Sequence, residues 1–89
     1  MKVLQVVPRL ESGGVERGTL EVAEALVKSG HGALVVSQGG PMVQELKGIG
    51  ALHTVMRVGE KSPRSLLAVG DLQRLIRSEN VDIVHPRSR

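Results

Sequence analysis

Short apolar runs alternate with longer segments of helical periodicity along the chain. Four such runs, rich in valine, leucine and isoleucine, lie at residues 2–7, 31–37, 52–58 and 81–85. They predict strands, and the first two are mostly apolar, as is typical of strands buried on both faces of a parallel sheet. The third run alternates apolar with polar positions, which favours an edge strand with one less buried face.

Three segments between these strands have the spacing and end signals of helices, and they span residues 13–28, 41–47 and 62–79. One face of the first segment is apolar up to Val27. Gly30 is placed to stop this helix, since glycine readily adopts the left-handed conformation that ends many helices. Pro41 and Pro63 suit the first helical position, where a missing N–H costs nothing. The chain therefore alternates strand and helix from beginning to end.

Alternation of this kind predicts an α/β fold, a Rossmann-like parallel sheet with right-handed crossovers and helices on both faces. The usual strand order is 3-2-1-4, which makes the first and fourth strands neighbours and opens a ligand crevice at their carboxyl ends. Residues 8–14 and 85–89 follow these two strands, so both segments are expected to meet at the crevice. A doubly wound sheet normally adds further strands. We therefore interpret the chain as a partial domain, residues 1–89, whose fourth strand is an open edge.

The amino-acid composition limits the classes of binding partner that this chain can have. The 89 residues make one domain at most and include no Phe, Trp or Tyr. Aliphatic residues must therefore form the core, and no aromatic ring is present on which a nucleobase could stack. The net charge of +3 comes from basic residues scattered among acidic ones. This pattern argues against nucleic acid and is compatible with phosphates or with peripheral association with an anionic membrane surface.

The chain has no cysteine, which excludes disulfides and thiolate metal sites and favours a reducing compartment. Its three histidines lack any metal-ligand spacing, so we predict no metal site. The N-terminal segment resembles neither a signal peptide nor a membrane span. We therefore expect a cytoplasmic protein.

A glycine pair, Gly13 and Gly14, stands where the first helix begins. Such a pair leaves backbone N–H groups uncovered beside the positive end of the helix dipole, which predicts an anion site, with phosphate as the favoured anion. The alternative is a tight turn that merely starts a helix. Gly13, Gly14 and Gly18 do not form GxGxxG, and Ser37 closes the second strand where a dinucleotide enzyme needs an acidic residue. NAD binding is accordingly the weaker interpretation.

Two stretches of the chain resemble the start of a family 4 glycosyltransferase of the GT-B fold. They are residues 6–40, VVPRLESGGVERGTLEVAEALVKSGHGALVVSQGG, and residues 81–89, VDIVHPRSR. The resemblance implies two Rossmann-like domains, of which the N-terminal one binds the acceptor and the C-terminal one holds the nucleotide-sugar donor. The family's C-terminal motif, two glutamates separated by seven residues, has no counterpart here. The resemblance thus implies an N-terminal, acceptor-side portion that lacks the donor-binding domain and is inactive alone.

The resemblance also assigns roles to residues near the glycine pair. Gly13 and Gly14 match the family's glycine loop, whose backbone approaches the donor diphosphate across the interdomain cleft. Glu16 and Arg17 match the polar residues that follow this loop and face the cleft. From the residues alone, Glu16 also suits the first turn, because the helix dipole stabilises a carboxylate there. The same dipole disfavours the cation of Arg17. The position of Arg17 therefore indicates either a nearby compensating anion or an ordinary solvated arginine.

The end of the fourth strand supplies the remaining candidates. His85 and Arg87 match a cleft-facing pattern in the family. His85 ends a strand at the mouth of the crevice, where it suits hydrogen bonding to an acceptor hydroxyl or general-base catalysis. Arg87 suits a phosphate or an anionic acceptor. His31 is interpreted as structural, and His53 is given no role.

These interpretations together predict sugar transfer from a nucleotide-sugar donor to a glycan or glycolipid acceptor at the inner face of the cell membrane. Neither a metal nor a cofactor is expected, since the nucleotide-sugar is a substrate. The alternative is a non-catalytic Rossmann-like module or remnant that binds a phosphate-bearing ligand.

Overall fold

A computed structural model of the chain describes residues 1–7, 14–56 and 65–86. Strands and helices alternate as predicted, in the order β1 (Lys2–Val6), α1 (Gly14–Lys28), β2 (Gly32–Ser37), α2 (Val43–Ile49), β3 (Leu52–Val55), α3 (Ser65–Ser78) and β4 (Ile83–Pro86). The predicted end of the third strand and the predicted start of the third helix fall within residues 57–64, outside the described residues.

The four strands form one parallel sheet in the order β3-β2-β1-β4, as predicted. At one edge, β3 does not show the predicted alternation of exposure. The residues at its two ends are exposed, Leu52 by 60% and Val55 by 68%, while His53 between them is half-buried. An edge strand of four residues has a partner on one side only, so its terminal side chains remain in solvent. β4 forms the other edge of the described sheet, and its Ile83 and Val84 are exposed.

Helices cover both faces of the sheet, which confirms the predicted layers. The face beneath α1 and α2 carries the larger core, whose buried members are Val7, Leu20, Ala23, Ala33, Val35, Met42, Leu46 and Ala51. The opposite face carries a smaller core of Leu4, Leu34 and Val36, packed against α3 through Leu72, Leu75 and Ile76. Because side chains alternate along a strand, successive residues of β1 and β2 serve the two cores in turn.

Left-handed glycines end the first two helices. Gly30 follows α1 with a φ of 81°, and the N–H of His31 donates to the carbonyl of Leu26 at 2.9 Å. This bond spans five residues, as in a Schellman motif, and confirms that Gly30 stops the helix. Gly50 ends α2 in the same conformation, with a φ of 102°. Both glycines thus turn the chain from a helix towards the next strand.

The fourth strand begins at Ile83, two residues after the predicted start at Val81. Val81 lies between α3 and β4, and its N–H caps the end of the helix by donating to the carbonyl of Ile76 at 3.0 Å. Asp82 forms two hydrogen bonds with Lys2 of the first strand. Its carboxylate accepts from the N–H of Lys2 at 2.7 Å, and its own N–H donates to the Lys2 carbonyl at 2.9 Å. The predicted start of the fourth strand was therefore wrong by two residues.

Two further properties concern only the described ranges. No group of three His, Cys, Asp or Glu side chains within them is arranged to hold a metal ion. None of the helices found there is both long enough and apolar enough to cross a membrane.

Candidate functional site

Gly14 is the first residue of α1 and is exposed, whereas Gly13 lies outside the described residues. The φ of Gly14 is not in the left-handed region, and no described heavy atom lies within 4 Å of the position that a Cβ would occupy. Neither backbone conformation nor packing against the described residues therefore requires a glycine here. No described residue therefore blocks a ligand that approaches the N-terminus of α1.

Glu16 and Arg17 follow Gly14 but point to different surroundings. The side chain of Glu16 is 1% exposed, so it lies inside the protein, in the first turn of α1. The side chain of Arg17 is 54% exposed, and its Nη1 donates to Oε1 of Glu45 on α2 at 3.0 Å. The structure therefore does not bring these two side chains together on one open surface. Their assignment to the cleft stays a prediction.

The carboxylate of Glu45 is a compensating anion for Arg17, one of the two possibilities that the position of Arg17 indicated. The hydrogen bond with Glu45 raises the pKa of Arg17, and the charges of Glu45 and Glu21 raise it further. A cation in the first turn of a helix is disfavoured by the helix dipole, and a carboxylate beside it offsets that effect. Since both side chains are about half exposed, the pair contributes little to stability.

His85 lies in β4, directly beside β1. It is in register with Gln5, and register partners on parallel strands share a face of the sheet. This face is the one beneath α1, since Gln5 bonds to that helix. His85 is exposed. The structure thus places His85 on the same side of the sheet as α1, which begins at Gly14, whereas Arg87 lies outside the described residues.

A groove of about 260 Å³ lies between α1 and α2. Its lining residues are Arg17, Leu20, Glu21, Glu24, Glu45 and Ile49. Half of these residues are glutamates, whose charge repels phosphate. The groove shares only Arg17 with the predicted site, and we do not assign it to the donor.

Two polar arrangements were missed by the sequence analysis. Gln5, near the carboxyl end of β1, is fully buried and bonded to α1. A single polar residue inside the apolar run of β1 was the signal for it. Ser37 and His53 form the other arrangement, with Ser37 Oγ at 2.6 Å from His53 Nε2. Their pairing depends on the register of β2 against β3, which residue patterns alone do not give.

The Ser37–His53 contact is compatible with a hydrogen bond from the serine hydroxyl to the histidine. The N–H of Gly39 donates to Ser37 Oγ at 3.0 Å, so the serine hydroxyl is free to donate its own proton to His53 Nε2. This direction needs a neutral imidazole. Burial lowers the pKa of His53 below its ordinary value, and the positive charge of Lys47 lowers it further. Burial and the charge of Lys47 therefore both favour the neutral form of His53, with which this direction is compatible.

We expect the folded protein to lose stability as the pH falls below about 6.5, the ordinary pKa of histidine. Because the pKa of His53 is lower in the folded state, the unfolded chain binds more protons between the two pKa values, so stability rises with pH across that window. The contribution is complete above the unfolded pKa and is lost as the pH falls through the folded one. Urea unfolding of the wild type and of His53→Gln at a series of pH values measures it.

His31→Gln is the control for this measurement, because His31 is exposed. It should keep the pH slope of the wild type, whereas His53→Gln should flatten it. Equal slopes for the wild type and His53→Gln would show that His53 is not responsible.

The fold places the chain among α/β proteins with a Rossmann-like parallel sheet. The sequence pattern of Glycosyltransferase Family 4 matches residues 12–89, and the chain therefore belongs to this family. A solved glycosyltransferase from Rickettsia africae ESF-5 is similar to it, with a TM-score of 0.84 and 48% sequence identity. The alignment covers 99% of this chain and 24% of that one, so this chain spans about a quarter of the length of that relative. No curated protein gives a significant match.

Proposed function

We propose that this chain supplies the N-terminal, acceptor-side portion of a glycosyltransferase of the GT-B type, which transfers a sugar from a nucleotide-sugar to a glycan or glycolipid. The observation that carries the proposal is Gly14 at the start of α1, with no described atom within 4 Å of the position of a Cβ, in a chain of Glycosyltransferase Family 4. The rest of the enzyme would supply the donor-binding domain. The Rickettsia africae glycosyltransferase, about four times as long as this chain, supports such an arrangement.

The chemistry follows from the position of Gly14. When a sugar leaves its nucleotide, negative charge develops on the diphosphate oxygen that had been bonded to it. Backbone N–H groups at a helix N-terminus stabilise such a charge, and the dipole of a helix of 15 residues adds to them. Donors held in place before the reaction need no reorganisation as the charge forms. Gly13 and Gly14 are therefore our candidates for contact with the donor diphosphate.

His85 is our candidate for the acceptor side. It lies at the carboxyl end of β4, on the face of the sheet that α1 covers, and it is exposed to a ligand. A neutral imidazole there can accept a hydrogen bond from the attacking hydroxyl and take its proton. Glu16, Arg17 and Arg87 would complete the cleft. We place this reaction in the cytoplasm, at the inner face of the membrane, without a metal or cofactor.

A chimera tests the proposed function. This chain would replace the corresponding quarter of the Rickettsia africae glycosyltransferase, with which it shares 48% identity and a TM-score of 0.84. We expect the chimera to retain whatever sugar transfer the parent enzyme shows. The matched control is the same chimera with His85→Ala, which should fold equally well and transfer sugar more slowly.

A folded chimera that binds its nucleotide-sugar but transfers nothing would contradict the proposal. That result would favour a non-catalytic module that binds a phosphate-bearing ligand.

A further inference from the structure

Three polar residues are buried where α1 meets β1. Gln5 and Thr19 are 0% exposed and Glu16 is 1% exposed. Gln5 lies in β1 between the aliphatic residues Leu4 and Val6, while Glu16 and Thr19 stand three residues apart on one face of α1. The Nε2 of Gln5 donates to the backbone carbonyl of Thr19 at 3.1 Å. A directed hydrogen bond thus connects the strand to the helix.

An aliphatic side chain would fill this position without the cost of burying an amide. A buried amide is tolerated because its hydrogen bond offsets the lost contact with water. The bond also does something that apolar packing cannot do. It fixes the helix in height and rotation relative to the strand, whereas aliphatic contacts tolerate small shifts of either.

Gln5 stands between the two parts of the candidate site. On one side it is in register with His85 of β4. On the other it holds the carbonyl of Thr19, within the first two turns of the helix that begins at Gly14. A change in the position of α1 over Gln5 would therefore move the Gly14 backbone relative to His85.

We propose that Gln5 is a positioning residue that sets the N-terminal turns of α1 against the β1–β4 pair. It touches neither donor nor acceptor. It acts by holding the Gly14 backbone at a fixed place relative to His85. The value of this placement rests on the proposed function, in which Gly14 meets a diphosphate and His85 an acceptor hydroxyl.

The test compares Gln5→Met with Leu4→Met in the 89-residue chain. Methionine is close to glutamine in length and lacks the donor. Leu4 is equally buried on the same strand but belongs to the core on the opposite face, so Leu4→Met measures the general effect of altering β1. Amide NMR shifts of Gly14 to Arg17 report the position of the helix start. Titration with inorganic pyrophosphate reports its consequence for anion binding.

We expect both variants to fold. Gln5→Met loses the hydrogen bond to Thr19, so it should shift the amides of Gly14 to Arg17 and weaken pyrophosphate binding about tenfold. Leu4→Met should change neither. If Gln5→Met fails to fold, Gln5→Val, which suits a strand, takes its place in the same comparison.

A folded Gln5 variant with the amide shifts and affinity of Leu4→Met would overturn the inference. A wild type that does not bind pyrophosphate would count against the proposed phosphate site alone. The amide shifts need no ligand, so they would still decide whether Gln5 positions the helix.

Discussion

Replacing Leu46 with alanine is expected to lower the free energy of unfolding by about 2–5 kcal/mol. Leu46 is 0% exposed, and it is the residue of α2 that enters the larger core with Leu20 and Val35. Its loss removes apolar contact and leaves a cavity, which the short helix can close only in part. Since small domains are stable by only about 5–15 kcal/mol, this loss is a large fraction of the total stability.

Urea unfolding followed by circular dichroism measures the change. Leu52→Ala is the matched control, because Leu52 is 60% exposed on the edge strand β3. It should alter stability by less than about 1 kcal/mol. Equal losses in the two variants would mean that α2 is not packed on the sheet as the structure has it.

The order of elements and strands followed from the sequence because burial on both sides leaves a clear pattern. The aliphatic runs of β1 and β2, with helices between them, permit few arrangements other than a parallel sheet with right-handed crossovers. The end of α1 at Gly30 was predictable for a different reason: glycine adopts the left-handed conformation easily, and few other residues do. Val81 was misassigned because an apolar residue between a helix and a strand fits either one.

The candidate site was predictable only in part. The glycine pair has a mechanism that can be inferred from residue types, and the position of His85 follows from strand order. The different surroundings of Glu16 and Arg17 do not follow from the sequence. Adjacent residues on a helix point about 100° apart, and only packing decides which one is buried. The Gln5–Thr19 and Ser37–His53 contacts depend on how two elements are placed, which one sequence does not specify.

Gly14→Val is expected to abolish the response of this chain to a nucleotide-sugar. In the wild type, the amide NMR signals of Gly14 to Arg17 should shift as the nucleotide-sugar is added, and the shifts should reach a plateau at saturation. A valine side chain would occupy the open space over the backbone that a phosphate must approach. A phosphate kept at a distance by this side chain cannot reach the backbone N–H groups of the helix N-terminus. NMR titration measures the loss.

Stability separates this effect from misfolding. Gly14 has a helical backbone and no described atom near the position of a Cβ, so a side chain introduces no strain against the described residues. Valine and alanine are both better helix formers than glycine, and each variant should be as stable as the wild type or more so, by up to about 1 kcal/mol. Gly14→Ala, with its smaller side chain, should lose only part of the response. If Gly14→Val responds like the wild type, the phosphate does not approach here, and donor recognition lies outside this helix terminus.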